Sequence, residues 1–407
     1  MLKLTPVFLL CGTATALLFA QKDWPTFGGD AANTRYSTLG QINRGNVSRL
    51  ARAWTYHMAQ APAPVPQEGR GGGRTRSSEA TPVMAGGLLF LPTPFNRVVA
   101  LEPGTGKEVW AYEVPGGNAS MRGVEYWAGD AQAPATIYFG TTTGFLVALN
   151  AKTGKPVPGF GKEGFVNMKQ GINNGFTTGQ FSLSSPPKVF KNVLITGARV
   201  QEQPSQGFAG DTRGWDARTG KLLWQFHSVP QAGEPGNETW EGNSWQKRSG
   251  TNVWGFLSVD EKLGLVNLPH GSPSQDFFGG DRKGANLYGN SLVALDAITG
   301  KLKWYFQAIH HDTWDYDLEA PPLLIDIRKD GNVIPAAALT SKTGLVFLLD
   351  RRDGKPIHGV EERPVPASDI PGEASWPTEP FPLKPPPLAR RVVGRPRQEG
   401  EHPCQKS

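Results

Sequence analysis

The chain has 407 residues, 38% of them hydrophobic and 12 of them Trp, so it can bury a large core, and beyond its first twenty residues no 18-residue apolar run marks a helical membrane span. Fifty Gly and 35 Pro punctuate short apolar segments and helical periodicity is absent, which excludes a mainly helical fold. The formal charge of +6 includes a net +3 in residues 390–406 and Lys3 in the leader, leaving about +2 on the body; that excludes the basic stripe a nucleic-acid binder needs.

In chain order, Met1 to Ala20 has one early Lys, an apolar middle and small residues before polar Gln21-Lys-Asp23, the build of a secretory signal cleaved near Ala20. The other reading of this segment is a buried first strand or helix. Cleavage as a lipoprotein at Cys11 is disfavoured, because Leu10 stands where a small residue is wanted. Asp23 to Ser37 reads as an extended cap, Leu50 to Tyr56 as a strand, and residues 60–78, rich in Pro, Gly and Arg, as a surface loop. With Cys11 in the leader and Cys404 near the end, neither a disulfide framework nor a Cys-x-x-Cys-His haem site nor a Cys-based zinc site is available.

One phrase then returns: Val99-Ala-Leu-Glu-Pro-Gly-Thr-Gly-Lys-Glu-Val-Trp110, Val147 to Lys155, Gly214 to Trp224, Val293 to Trp304, and more weakly Phe347 to Lys355. Each copy is a short apolar strand, a turn on Asp/Asn and Thr-Gly, and a second strand that in three copies carries a Trp at a fixed offset. A repeated hairpin with a docking Trp and irregular insertions (116–134, 161–184, 228–252, 270–290) predicts an all-β fold, a β-propeller whose blades carry different loops. The expected organisation is a signal at 1–20, a propeller at 21–380, and a Pro/Arg-rich tail at 381–407 with no further blade.

After the fourth copy comes Ile309-His-His-Asp-Thr-Trp-Asp-Tyr-Asp317, too polar and crowded for a strand core. It reads as a loop presenting carboxylates to a ligand or cation; a turn whose Asp side chains cap backbone amides accounts for one or two of the acids but not for the cluster.

With Trp24-Pro-Thr-Phe-Gly28, Arg35-Tyr-Ser37, Glu79-Ala-Thr-Pro82, Arg122-Gly-Val-Glu-Tyr126, Ser184-Ser-Pro-Pro187, Lys342-Thr-Gly344 and Leu349-Asp-Arg-Arg-Asp-Gly354, that loop makes the chain resemble the quinoprotein dehydrogenases that use pyrroloquinoline quinone, those similar to membrane glucose dehydrogenase in particular. The resemblance implies an eight-bladed propeller in full members, with the quinone over its axis beside Ca2+ or Mg2+, oxidising an aldose or alcohol in the periplasm and passing electrons to ubiquinone or a cytochrome. It implies Asp315 as the base that takes the substrate hydroxyl proton, Lys342 as the cation near the quinone oxygens, and Arg122, Glu79 and Ser184 as cofactor contacts. Trp254 would stack beneath the quinone, and Glu202 with Asp315 would ligate the metal.

Ser272 stands where alcohol-oxidising members place an Asn ligand, Asn118 where glucose enzymes often have a His, and the adjacent-cysteine disulfide of methanol-oxidising members is absent. Full members run on well past this end, so the expected ring is incomplete, with a partner chain as one way to complete it. Two other readings stay open: a non-catalytic envelope propeller, and an inactive truncated member of the family.

Overall fold

The computed structural model describes residues 23–58 and 78–389. The expected signal, nearly all of the 60–78 loop and the tail beyond residue 389 lie outside the described residues. Within them the chain is almost wholly β, with two single 3-10 turns, Val47–Arg49 and Asn237–Thr239. No helix there is long and apolar enough to cross a membrane.

Five antiparallel sheets follow one another as propeller blades. Blade 1 is Val83–Ala85, Leu88–Pro92, Arg97–Leu101 and Glu108–Glu113; blade 2 is Glu125–Trp127, Thr136–Gly140, Phe145–Asn150 and Phe165–Asn167. Blade 3 is Lys188–Phe190, Val193–Thr196, Thr212–Asp216 and Leu222–Phe226; blade 4 is Ser258–Asp260, Leu265–Pro269, Ser291–Asp296 and Leu302–Gln307. Blade 5 has three strands, Leu323–Lys329, Asn332–Thr340 and Val346–Asp350. The first strands of neighbouring blades touch, so they form the inner wall.

The middle strands are apolar on both faces because each blade is covered on both sides. Ile137, Phe139, Val147 and Leu149 pack toward blade 1, while the alternating Tyr138, Leu146 and Ala148 pack toward blade 3. The other large clusters likewise join blade 3 to 4 and blade 4 to 5.

The repeated phrase locks these junctions. In the four copies that carry Asp or Asn at the turn its side chain caps the next amides: Asn150 Oδ1 accepts from Lys152 N at 3.0 Å and Thr153 N at 3.1 Å, and Asp296 Oδ1 from Thr299 N at 2.9 Å. The Gly of the turn is left-handed, φ +69° at Gly154 and Gly300, and a Cβ on either would lie 2.6 Å from the indole of Trp110 or Trp224. Trp110 Nε1 donates to Ala151 O at 3.0 Å and Trp304 Nε1 to Arg351 O at 2.9 Å, so each Trp reaches the following repeat. The second copy has no Trp; there Phe160 and Val166 pack on Gly220, and Tyr138 Oη donates to Ala217 O at 2.5 Å.

One expectation needs correction. Leu50 to Tyr56 forms no strand; instead Trp54 docks, its Nε1 donating to Pro103 O at 3.0 Å, and the aromatic pattern that suggested a strand is that of a docking segment. Beyond the fifth blade, Thr378–Pro382 pairs with Val360–Pro364 as a two-stranded hairpin. A hairpin edge tolerates the prolines that a central strand would not.

Candidate active site

Loops between the blades enclose a cavity of about 460 Å³ lined by residues from seven segments of the chain. Arg122, Ser184, Glu202, Trp254, Asp315 and Lys342, expected from sequence, all line it. Glu79 stands behind Arg122, its Oε2 3.0 Å from the guanidinium Nε.

The loop around Asp315 is built from Asp312. Asp312 is buried, and its carboxylate accepts from Trp314 N at 2.9 Å, Tyr316 N at 2.6 Å, Ser272 Oγ at 2.5 Å and Asn290 Nδ2 at 2.9 Å. Burial pushes this carboxyl up despite those bonds. The buried Arg282 donates to the carbonyls of Asp312 and Gln275 and to Asn286 Oδ1 at 2.9 Å, tying the two cavity loops together. So held, Asp315 takes φ +57°, a conformation Asp tolerates better than most residues, and its carboxylate enters the cavity. The cluster thus serves both expected roles: Asp312 is the structural cap, and Asp315 and Asp317 are the presented acids.

Lys342 joins those two. Its Nζ donates to Asp315 Oδ2 at 2.7 Å and to Asp317 Oδ2 at 3.0 Å. Asp317 also accepts from Trp254 Nε1 at 3.1 Å and Ser272 N at 2.7 Å; Gly271 leaves room for this, since a Cβ there would lie 2.6 Å from Asp317 Oδ1. Burial raises the Asp315 carboxyl to about 6, with Lys342 opposing and Asp317 assisting. Burial disfavours the Lys342 ammonium, but the two carboxylates outweigh it and raise its pKa above the ordinary lysine value.

The other wall is aromatic and cationic. Arg122 lies over the Trp254 ring at 5.1 Å, and both Ser184 Oγ and Ser185 Oγ donate to Trp254 O at 2.8 Å. The Ser184 proton is therefore committed to the backbone, and its hydroxyl faces the cavity as an acceptor. Arg122 Nη1 is buried and has no partner among the described residues.

Sequence reasoning missed Asp317, Asp276 and Arg199 as lining residues. Asp317 had a signal, because it stands two residues from Asp315 in the same motif. Asp276 and Arg199 sit in ordinary loop text and reach the cavity only through the fold. The Asp276 carboxyl is pushed up to about 7, first by burial and then by Asp315, Glu202 and Asp317.

Residues 24–399 match the family model described as glucose/ethanol/alcohol dehydrogenase, beta-propeller domain, of the pyrroloquinoline quinone group. The chain belongs to this family. It is 34% identical over 399 residues to the quinate/shikimate dehydrogenase (quinone) of Acinetobacter baylyi, covering 92% of this chain and 48% of the relative. It is also 34% identical to quinoprotein glucose dehydrogenase A of Acinetobacter calcoaceticus, covering 89% and 48%. The crystal structure of the quinohemoprotein alcohol dehydrogenase of Comamonas testosteroni superposes with a TM-score of 0.70 at 31% identity, covering 89% of this chain and 52% of that one. The chain spans about half the length of the curated relatives it matches.

The site fits the family's cofactor: an aromatic face, an unpartnered guanidinium nitrogen and the cations Arg122, Arg199 and Lys342 suit a flat quinone bearing carboxylates. For a divalent ion, Glu202 and Asp315 supply oxygens of the right hardness, but among the described residues no three His, Cys, Asp or Glu side chains converge as a metal centre.

Proposed function

We propose that this chain is the quinone-binding part of a periplasmic dehydrogenase that oxidises an aldose or other alcohol to the carbonyl compound, with electrons leaving to a quinone or cytochrome acceptor. The observation that carries the reading is Lys342 bridging Asp315 and Asp317 in the cavity that Arg122 and Trp254 also line.

When bound, pyrroloquinoline quinone supplies a two-electron acceptor for the hydride of the carbinol carbon. Asp315 accepts the hydroxyl proton of the substrate at its carboxylate, which is ionised above about pH 6. Lys342 fixes the direction of that carboxylate, and Asp317, held by Trp254 Nε1 and Ser272 N, fixes Lys342. Protonation of Asp315 weakens its hold on the ammonium, so the Lys342 charge becomes free to stabilise negative charge developing beside it. Glu202 and Asp315 would hold a calcium or magnesium ion, whose positive charge favours the ionised carboxylate.

The test is a titration of the purified chain with pyrroloquinoline quinone, with and without calcium, followed by Trp fluorescence and then by dye reduction with glucose, ethanol and quinate. Saturable quenching with reduction by a neutral alcohol is the expected result. Absence of quenching under both conditions would overturn the reading.

A further inference from the structure

We propose that Arg199 pairs with Arg122 to form a two-guanidinium clamp for a carboxylate in the cavity, and that this carboxylate belongs to the quinone cofactor. The inference rests on the function proposed above. Arg199 stands on the short ladder Arg199–Val200, paired with Phe181–Ser182, so its backbone is fixed in register against Ser182. Its side chain lines the same cavity as Arg122.

The charge balance between the two arginines is incomplete. Burial lowers the Arg122 pKa; Glu79 opposes this and the Arg199 charge adds to it, so the two cations interact electrostatically. Glu79 faces the Nε edge of Arg122 and is half-exposed, while Nη1 on the fork is buried with no partner among the described residues. No ion pair engages Arg199 among those residues either. An anion between the forks relieves the repulsion and gives Nη1 its missing acceptor. A carboxylate matches the planar guanidinium geometry, which a single hydroxyl does not.

That carboxylate has two chemical sources, the cofactor and a hydroxy-acid substrate. The arrangement favours the cofactor, because the Arg122 guanidinium lies over the Trp254 ring at 5.1 Å. What it grips is therefore seated against an aromatic face, where a flat ring stacks.

The experiment measures the affinity of the full chain for pyrroloquinoline quinone by calorimetry, without substrate, for wild type, Arg199→Ala, Arg199→Lys and the surface control Arg363→Ala. Loss of one charge-assisted contact predicts about tenfold or more weaker binding for Arg199→Ala, with partial rescue by Lys and no change for Arg363→Ala. With the trimethyl ester of the quinone, wild type and Arg199→Ala should bind equally. If Arg199→Ala binds the free acid as wild type does but raises KM for quinate alone, the clamp serves a substrate and the proposal falls. If wild type binds the ester and the acid equally, no carboxylate clamp exists. Failure of wild type to bind either form would overturn the functional reading and the clamp with it. A melting curve for each variant keeps an unfolded protein from passing as a binding defect, and Arg199→Lys, with the stem and charge retained, supplies the comparison should Ala fail to fold.

Discussion

Trp304 lies against the left-handed Gly354 turn of the next repeat, donates its indole hydrogen to Arg351 O and is almost fully buried between blades 4 and 5. Trp254 also donates its indole hydrogen, but to the Asp317 carboxylate, and its ring meets a guanidinium at the edge of a cavity. Around Trp304 the partners come from adjacent repeats, and its indole hydrogen is taken by a backbone carbonyl of the next turn. Around Trp254 they come from loops near residues 122, 184, 272 and 317, and charges face open space. The first environment is built for stability and the second for a ligand.

Substitutions separate the two. Trp304→Ala removes a buried aromatic at a blade junction and should cost about 3–5 kcal/mol, read as a lower denaturant midpoint and a lower Tm. A loss below about 1 kcal/mol would mean that the docking Trp is not what holds the junction. Asp315→Asn should do the reverse, leaving the melt near wild type while turnover falls about 10²- to 10⁴-fold and quinone affinity persists. Retained turnover in that variant would remove Asp315 from its assigned role.

Acid should also act first at the junctions. His270 is fully buried beside blade 4, stacked on Phe226 of blade 3 at 6.1 Å with neither ring nitrogen partnered, and burial lowers its pKa to about 3. The unfolded chain, with an ordinary histidine near 6.5, then binds the extra proton, so stability falls as pH drops from about 6.5 toward 3. At pH 5 the loss from this group is about 2 kcal/mol. Glu379 has the opposite sign: burial raises it to about 8, the folded state keeps the proton, and stability falls as pH rises from about 4.5 to 8. His270→Leu should flatten the acid limb of the stability profile and leave the alkaline limb unchanged. An acid limb as steep as that of wild type would refute the assignment.

The contrast also explains what could be read from the chain. The repeat is local, so Asp296-Ala-Ile-Thr-Gly300 announces its turn and Trp304 its docking, and the blades follow. Leu50 to Tyr56 misled because a docking segment and a strand share the same aromatic text; the difference lies in Trp54 reaching Pro103. At the cavity, Asp315, Lys342 and Trp254 were legible through their motifs. Arg199 and Asp276 were not, since neither belongs to a motif read for its chemistry and only the fold brings the loops of blades 3 and 4 that carry them to one cavity. Asp312 was visible as part of an acidic cluster, yet its role as the cap for Trp314 N and Tyr316 N depends on Ser272 and Asn290, far off in sequence.

The smallest expected effect is the most discriminating within the cavity itself. Trp254→Phe keeps an aromatic face for Arg122 and for a stacked quinone, but removes the Nε1 donor that Asp317 receives at 3.1 Å. Asp317 retains Ser272 N and Lys342, so stability should change by no more than about 1 kcal/mol. Quinone affinity should stay within about threefold of wild type, whereas kcat should fall by about three- to tenfold because Lys342 and Asp315 lose part of their alignment. Trp254→Ala should instead lose the affinity itself, since the ring face goes. If Phe weakens binding as much as Ala does, the indole hydrogen and not the aromatic face is what Trp254 contributes to holding the cofactor.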